Sequence, residues 1–418
     1  MESFNTQSSV LPFDIVILII DTVGECKEID LLKELALVSH SFLQICNKHL
    51  FATVELQDAI LTRPSSKEGF VKLLKSRPHV VKYIRHLTYT VSSNAWFGRH
   101  APVDEDQLLS PILPNFLKTI PHLKCLVISR ALDWNTLDPS LTSALLHLMH
   151  LPTMNYINLS FIRNFPLSSL TPCVNLHRLD IFYMEIENGF PEIIQSEMPR
   201  IRQFYTSDSS RMTSNLLHAK ARDGRPAFDF TDLKQLSVSF SHFEDEHNIR
   251  YLLQNAKLLE KLRLSTERDQ LTLEGLHDIL SPSARTLKTL ELTIPLCHDD
   301  PPLAGLCEEL EAMAGHNVLE ALAFRIDIDS DETADFMGSR IQKMDEVLVK
   351  PGWSALKQVS FEILISCRLV SRETSAELIE ASKSLPDKYL SHLSKLESVT
   401  LNCTVDLVKC GYCSNCTN

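Results

Sequence analysis

The residues best suited to bind a metal form a cysteine cluster near the end of the sequence. Cys410, Cys413 and Cys416 are spaced as C-x₂-C-x₂-C, and Cys403 lies upstream. Thiolates at this spacing can hold zinc or an iron–sulfur cluster when a fourth ligand and a surrounding fold complete the site. Two residues follow Cys416, too few for the second half of a zinc knuckle. We therefore expect no cofactor here, and a flexible tail over residues 406–418.

A second candidate is an acidic run that begins like a calcium-binding loop. Asp327, Asp329 and Asp331 alternate with other residues, as in an EF-hand loop. However, Glu332 stands where that loop needs glycine, and Gly338 stands where it needs a bidentate glutamate. The pattern indicates an acidic loop after a strand, not a calcium site.

The histidines are dispersed and suggest no catalytic arrangement. His147 and His150 lie one turn apart on a leucine-rich helical stretch, which is more typical of partly buried structural residues than of ligands. His242 and His247 flank an acidic segment that we interpret as a solvated loop. The chain has no G-x-S-x-G, H-E-x-x-H or G-x-G pattern, so hydrolase, metalloprotease and common nucleotide sites are not indicated. We expect a protein that is not an enzyme.

Charge and hydropathy restrict the partners. The formal net charge of −12 argues against binding to nucleic acid, which depends on many Lys and Arg contacts to phosphates. The apolar run 15–20 follows Pro12 and Asp14 and has no basic residue before it, unlike a secretory signal. No stretch reaches the 18 apolar residues of a membrane span. We expect cytoplasmic and/or nuclear localisation, with reduced cysteines and no membrane partner.

The elements that would position any site follow from a recurring apolar-x-x-apolar-x-apolar pattern. It opens at eleven positions, namely Ile84, Leu123, Met154, Leu176, Ile201, Leu233, Leu259, Leu287, Leu319, Leu356 and Leu396. Eight of the eleven openings are leucine, each followed by Lys, Glu or His, and successive openings are 22 to 40 residues apart. Segments with helical periodicity lie between them, as at 248–257 and 304–315.

A short strand with one apolar face, followed by an amphipathic helix, cannot bury its apolar surface alone. Stacked units bury it by forming a parallel sheet with helices on one face. The pattern resembles the leucine-rich repeat, although the units are longer and less even and mostly lack the closing Asn or Cys. We therefore expect an α/β fold with an irregular leucine-rich-repeat solenoid over residues 57–405. Its strands would line the concave face and its helices the convex face.

The alternative is an α/β domain with a doubly wound sheet. Such sheets have long apolar strands and usually a glycine-rich first turn. The strands predicted here are half polar, and the chain has 11 glycines in 418 residues, so the repeat interpretation is favoured.

Residues 11–56 have a different character, with helical periodicity and a strand only at their end. Pro12 suits the first turn of a helix, on which Ile15, Ile19 and Val23 share a stripe. Residues 1–10 before it are expected to be disordered.

A second helix and a third should follow. Asp30 is placed to cap the second, and Ser39 can end it or begin the third. One face of these helices is formed by Leu31, Leu35, Val38 and Phe42. Three helices of this size cannot bury all of their apolar surface, so the remaining stripes predict a partner.

Three stretches in this region resemble an F-box, in a variant common in fungal families. They are LPFDIVILII at 11–20, DLLKELALVSHSF at 30–42 and NKHLFATVEL at 47–56. The F-box hallmarks are L-P-x-E/D, an apolar helix, and a second helix that ends near V-C/S-R-x-W/F. Asp14 stands where glutamate is commoner, His40 where a basic residue is frequent, and Phe42 where tryptophan is frequent.

The resemblance implies docking to the Skp adaptor, and through it to a cullin, in an SCF-type ubiquitin ligase. The matching positions imply an adaptor-binding or supporting surface of seven residues, namely Leu11, Pro12, Ile15, Ile19, Leu35, Val38 and Phe42. The alternative is that the helices only cap the first repeat, since terminal repeats need a cap.

If the repeats are as predicted, the residues between the inward leucines face a ligand. The row combines small hydroxyls with charges of both signs, which suits an unknown protein or peptide target better than a polyanion. It comprises Asp180, Phe182, Tyr205, Ser207, Ser237, Ser239, Arg263, Glu291, Thr293, Arg325, Ser360 and Glu362.

Three functions are thus open. The first is a substrate-recognition subunit of an SCF-type E3 ubiquitin ligase, whose repeats hold a target close to the ubiquitin-loaded enzyme. The second is a leucine-rich-repeat interaction scaffold with no ubiquitin-ligase role. The third, a hydrolase or transferase that uses scattered serines and histidines, lacks a visible nucleophile–base pair.

Overall fold

The structure of the chain is a computed structural model. It describes residues 12–57, 65–90, 112–185, 198–240, 243–266, 275–296, 305–328, 334–366, 380 and 384–408. The chain divides into two compact units, residues 1–176 and residues 177–418, which are described in turn.

In its described residues, the first unit has three helices at its start, followed by four strands and their connecting helices. The helices are α1 (Phe13–Glu25), α2 (Ile29–Ala36), α3 (His40–Leu50), α4 (Ser66–Ser76), α5 (Leu113–Leu117) and α6 (Pro139–Met149). Short 3₁₀ helices cover Pro78–Tyr83, Trp134–Thr136 and Leu167–Leu170. The strands are β1 (Thr53–Gln57), β2 (His86–Thr90), β3 (Cys125–Asp133) and β4 (Tyr156–Arg163).

The four strands of the first unit pair in parallel and in chain order. The residue that leads into each strand connects it to the next one. The carbonyl of Arg85, before β2, accepts hydrogen bonds from the backbone N–H groups of Lys124 (2.7 Å) and Cys125 (3.0 Å). This arrangement satisfies the backbone at the entrance of each strand without a side-chain cap.

The second unit contains eight strands and six helices among its described residues. The strands are β5 (Arg178–Phe182), β6 (Gln203–Ser207), β7 (Gln235–Phe240), β8 (Lys261–Thr266), β9 (Thr289–Leu296), β10 (Ala321–Ile328), β11 (Gln358–Ser366) and β12 (Thr400–Val408). The helices are α7 (Ser210–His218), α8 (Phe243–Asn255), α9 (Leu276–Leu280), α10 (Leu306–Met313), α11 (Ala334–Leu348) and α12 (Leu385–Tyr389). Short 3₁₀ helices cover Ser281–Ser283 and Leu393–Lys395.

These eight strands also pair in parallel and in chain order. The same connection recurs here: the carbonyl of Lys234 accepts from the backbone N–H groups of Glu260 (2.8 Å) and Lys261 (2.9 Å). Along most of these strands, alternate side chains are buried and those between them are more exposed, as at Leu236 and Val238 against Ser237. One face of the sheet is therefore packed and the other is open.

The expected α/β fold with parallel strands is confirmed in both units. A strand begins two residues after ten of the eleven predicted openings, and the residues at those ten openings are at most 3% exposed. The eleventh unit also contains a strand, but the strand starts later: β12 begins at Thr400, four residues after Leu396. Its neighbour in the sheet fixes this register, since Val359 of β11 pairs with Leu401. β12 also extends to Val408, beyond the predicted end of the repeat region at residue 405.

Among the described residues, no helix has the length and apolar character needed to cross a membrane.

Candidate interaction surfaces

The three N-terminal helices share a small core of their own. Its centre is formed by Ile20, Leu32 and Cys46, one residue from each helix and each at most 1% exposed. Partly buried apolar residues surround this centre, namely Val16, Val23, Leu35, Ala36, Phe42, Ile45 and Leu50. The residues Val16, Ile20 and Val23 recur at the spacing of one helix face, so α1 turns this side inward.

Other residues of α1 and α2, together with the two residues that follow α2, expose large apolar side chains. Of the eleven exposed large apolar side chains in the described part of the chain, eight lie between residues 13 and 38. They are Phe13 (51%), Ile15 (42%), Leu18 (62%), Ile19 (47%), Ile29 (43%), Leu31 (42%), Leu37 (87%) and Val38 (64%). We call these eight residues the apolar patch. Scattered exposed apolar residues are normal, but a concentrated set indicates an interaction site.

The residues predicted to contact an adaptor separate into two groups. Ile15, Ile19 and Val38 belong to the apolar patch, and Pro12 is the exposed residue before α1. The second group, Leu35 and Phe42, instead packs partly buried against the helical core, where these residues support the surface. Leu11 lies outside the described residues.

Two details of the predicted helices are corrected. Val23 was expected to share the stripe of Ile15 and Ile19, but it packs inward because α1 already buries Val16 and Ile20 beside it. Asp30 was expected to cap α2, which begins one residue earlier, at Ile29.

The side chain of Asp30, free of that role, pairs with Lys33 at 2.8 Å on the helix surface. Ser39 does begin α3, and its hydroxyl oxygen accepts from the backbone N–H of Phe42 at 3.2 Å.

The exposure of Phe13, Leu18, Ile29 and Leu37 was not predicted from the sequence. A signal existed for Leu18, since residues 15, 18 and 19 fall on one helix face, about a third of a turn away from the inward residues 16, 20 and 23. Leu37 ends α2 as its C-terminal cap, so periodicity within a helix could not decide its exposure.

Polar contacts between α1 and α3 hold the patch in place. The carboxylate of Asp21 is 2.6 Å from Nζ of Lys48 and 2.7 Å from Nε2 of His49. Burial opposes ionisation of Asp21, but the hydrogen bonds and charges of Lys48 and His49 outweigh it, and the pKa of this carboxyl lies below its ordinary value.

The second candidate surface is the open face of β5–β12. Asp180, Tyr205, Arg263 and Glu291 stand in one continuous row across β5 to β9, in which Ser237 occupies the β7 position. Their strands therefore place the predicted ligand-facing residues side by side.

The predicted residues on the neighbouring rows pair across strands in the same way. Arg325 and Glu362 are direct neighbours on β10 and β11, and Phe182 on β5 is the neighbour of Ser207 on β6.

Asp180 matches the prediction only in part. It lies on the predicted face of the sheet, but it is 2% exposed. Its carboxylate accepts two hydrogen bonds from the guanidinium of Arg178, from Nε at 3.0 Å and from Nη2 at 2.9 Å. The same guanidinium lies over the ring of Tyr205, with its centre 4.6 Å from the ring centroid. Asp180 thus fixes Arg178 in a stacked position instead of facing a ligand itself.

Glu291 has a similar arrangement. Its carboxylate pairs with Nζ of Lys261 at 2.5 Å and with the guanidinium of Arg263. Burial raises the pKa of Glu291, but the hydrogen bonds and charges of the two basic residues lower it by a larger amount. The pKa of this carboxyl is therefore below its ordinary value.

Arg325 forms longer contacts, to Asp327 at 3.5 Å and to Glu362 at 3.7 Å. Asp327, the first residue of the calcium-like run, is thereby engaged by an arginine, and the rest of that run lies outside the described residues.

The described part of the chain contains no group of three or more His, Cys, Asp or Glu side chains that could hold a metal ion. His147 and His150 are both exposed, contrary to the expectation of partial burial, and His150 Nε2 is 2.9 Å from the carbonyl oxygen of Ser169. Cys403 lies within β12 and is partly buried. Cys410, Cys413 and Cys416 lie outside the described residues, as does His242.

Comparisons with known proteins do not identify the chain. No family model matches it, and no curated protein matches it. Among solved structures, the chain is similar to the crystal structure of a protein from Bacteroides fragilis, determined as a structural genomics target. The two are 12% identical, the match covers 84% of this chain and 73% of the other, and the TM-score is 0.31. That score is too low to support an inference about fold or function.

Proposed function

We propose that this chain is a substrate-recognition subunit of an SCF-type E3 ubiquitin ligase. In this proposal, residues 11–56 are an F-box that docks to the Skp adaptor and through it to a cullin. The following strands and helices form an irregular leucine-rich-repeat solenoid that binds a protein target. The chain itself carries no catalytic residue, and its contribution is to hold the target close to the ubiquitin-loaded enzyme.

The apolar patch is the observation that carries this proposal. Burying a large apolar side chain completely contributes about 1.5–3 kcal/mol, so leaving eight such side chains 42% to 87% exposed within residues 13–38 is costly unless a partner covers them. The same helices share a buried core of their own, so the exposure of these eight side chains does not mean that the segment is unfolded. Together with the F-box-like sequence at these positions, the patch favours a dedicated protein partner.

The order of the strands in the sheet supports the part of the proposal that concerns the repeats. Strands that pair only with their neighbours in the chain, with an inward apolar residue two positions before nearly every strand, are typical of a stacked-repeat architecture. The recurring backbone connection at the strand entrances has the same one-per-unit period.

The test is co-purification of the full chain with the Skp adaptor and a cullin. We expect stable recovery of both with the wild-type chain and loss of both with Ile19→Ser combined with Val38→Ser. A matched control is Leu258→Ser combined with Val318→Ser, which also removes two exposed apolar side chains (47% and 37% exposed) but far from the patch in the sequence. Undiminished recovery with the patch variant, or equal loss with the control, would refute the docking role.

The scaffold alternative also has a specific observation in its favour. The carbonyl of Ala52, just after α3, accepts hydrogen bonds from the backbone N–H groups of Arg85 and His86, both at 2.9 Å. The helical segment thus runs directly into the sheet, as a cap on the first repeat would. Failure of the wild-type chain to bind the adaptor, with a normally folded sheet, would favour this function.

A further inference from the structure

Basic side chains gather on five adjacent strands of the second unit, β5–β9, and on the residues that lead into them. They are Arg178, Arg202, Lys234, Lys261, Arg263 and Lys288, and we call them the basic strip. The side chains for which an ion pair is described are 37% to 54% exposed, and Arg202 is exposed as well. The strip therefore faces solvent.

The carboxylates in the same region are fewer, and two of the three lie deeper than the basic groups, whereas the side chain of Glu260 is 43% exposed. Among the described residues of β5–β9 and the residues that lead into these strands, they are Asp180, Glu260 and Glu291. The side chains of Asp180 and Glu291 are 4% and 19% exposed, less than the basic groups that they pair with. Six basic groups against three carboxylates leave an excess of three positive charges, in a chain whose net charge is −12. Asp208, which follows β6, lies at the opposite end of the strands.

The basic groups are distributed over all five strands, with two on β8 and one on or just before each of the other four. Glu260 links two of them at the strand entrances, with Nζ of Lys234 at 3.2 Å and Nζ of Lys288 at 3.9 Å. Neighbouring strands are about 4.8 Å apart, so five strands span about 19 Å. An extended chain covers this distance with about six residues at roughly 3.3 Å each.

We propose that the basic strip binds an extended acidic segment of a protein target, with its Asp and Glu side chains against the six basic groups. As a target-binding site, the strip rests on the proposed function, although the binding itself requires only β5–β9. An excess of three charges is small beside the roughly 6–10 phosphate contacts of nucleic-acid-binding proteins, so the match is to a short run of carboxylates. The hydroxyls of Ser237 and Ser265 on the same face add donors for such a segment.

The test is fluorescence anisotropy of the full chain with a labelled peptide Gly-Glu-Ser-Glu-Gly-Glu-Ser-Glu. The control peptide has Gln at every Glu position. We expect binding of the acidic peptide alone, weakening as salt rises because the contacts are between exposed charges. Equal binding of the Gln peptide, or preference for a single-stranded RNA of the same length, would overturn the proposal.

Two double variants test whether the acidic peptide binds at the basic strip. Lys261→Gln combined with Arg263→Gln should weaken binding about fivefold to tenfold, since each exposed ion pair contributes up to about fivefold. Lys343→Gln combined with Lys350→Gln removes the same charge from α11 and its end, and should change binding less than twofold. Equal weakening by both double variants would show an effect of net charge alone and would overturn the proposal.

A third variant changes binding in the opposite direction. Glu291→Gln removes the recessed carboxylate that pairs with Lys261 and Arg263, so the acidic peptide should bind about twofold to fivefold more tightly. Since this variant keeps both basic groups, unchanged or weaker binding would count against the strip even if the double variant misfolds. Adaptor binding is measured on the same samples: loss of peptide binding with adaptor binding intact would reject the strip alone, and the reverse result would reject only the F-box role.

Discussion

Gly24 of α1 lies so close to the imidazole ring of His49 on α3 that a Cβ at position 24 would overlap Nδ1 of that ring. The ring cannot easily move aside, because its Nε2 is held by Asp21 at 2.7 Å. One glycine therefore sets how closely the first and third helices pack, and this packing determines which side of α1 is left for the apolar patch.

Gly24→Ala should destabilise the three-helix segment. Alanine is about 1 kcal/mol more favourable than glycine within a helix, but overlap with a fixed side chain typically costs about 1–3 kcal/mol. We expect faster native-state hydrogen exchange of the α1 and α3 amides. Gly69→Ala in α4 is the control, because a Cβ there meets no atom within 4 Å, and it should slow exchange of α4. Slower exchange of α1 and α3 in the Gly24→Ala variant would contradict the close packing.

Asp21→Asn should remove a pH-dependent contribution to the stability of the same segment. Because the folded-state pKa of Asp21 is below its ordinary value, its contribution is present above an ordinary carboxyl pKa of about 4 and is lost as pH falls through the folded-state pKa. Hydrogen exchange of α1 and α3 in wild type and variant should therefore differ at pH 6 and converge at low pH (about 3). A difference that persists unchanged at low pH would show that the carboxylate charge is not responsible.

Leu37→Ser and Leu32→Ala, which lie close together in sequence, should have opposite consequences. Leu37 is 87% exposed, so its substitution should leave the free energy of unfolding nearly unchanged while weakening adaptor binding. Leu32 is fully buried, and its truncation should cost about 2–5 kcal/mol. Urea unfolding of the isolated chain and adaptor pull-down separate the two effects. A large loss of stability with Leu37→Ser would mean that the patch is sealed within the chain.

Asp345→Ala should loosen the last strand of the sheet. The carboxylate of Asp345, which is 1% exposed, accepts from the backbone N–H groups of His392 (3.0 Å) and Leu393 (2.8 Å) and contacts Nδ1 of His392 at 2.8 Å. Leaving a buried donor unsatisfied costs about 1–3 kcal/mol, so exchange of the β12 amides should accelerate. Asp278→Ala, at a side chain that is 83% exposed, is the control and should have little effect. Unchanged exchange of β12 would argue against this role of Asp345.

The sheet was predictable because each unit buries a residue two positions before its strand, and that spacing is visible in the sequence. The exception at β12 has a physical reason. Val399, Leu401, Cys403 and Val405 alternate without interruption, so the apolar pattern alone does not fix where the strand starts. Pairing with β11 makes that choice, and pairing is not encoded locally.

The candidate surfaces were predictable only in part. Periodicity placed Ile15 and Ile19 on one side of a helix, but it could not show that Asp30 would lie inside α2 or that Leu37 would be the most exposed member of the patch. On the sheet, alternation placed Asp180 on the open face. It could not reveal that a neighbouring arginine would cover this carboxylate, because that depends on side-chain length and on stacking with Tyr205.

Within each unit, the described strands pair only with the strands before and after them in the chain, and the differences in unit length are absorbed by the connections. The side chains that hold the sheet together and those that face outward alternate along most strands, so they can vary independently. Selection could therefore replace the outward residues one strand at a time, giving related chains new targets while the inward residues, and with them the ability to fold, stay the same.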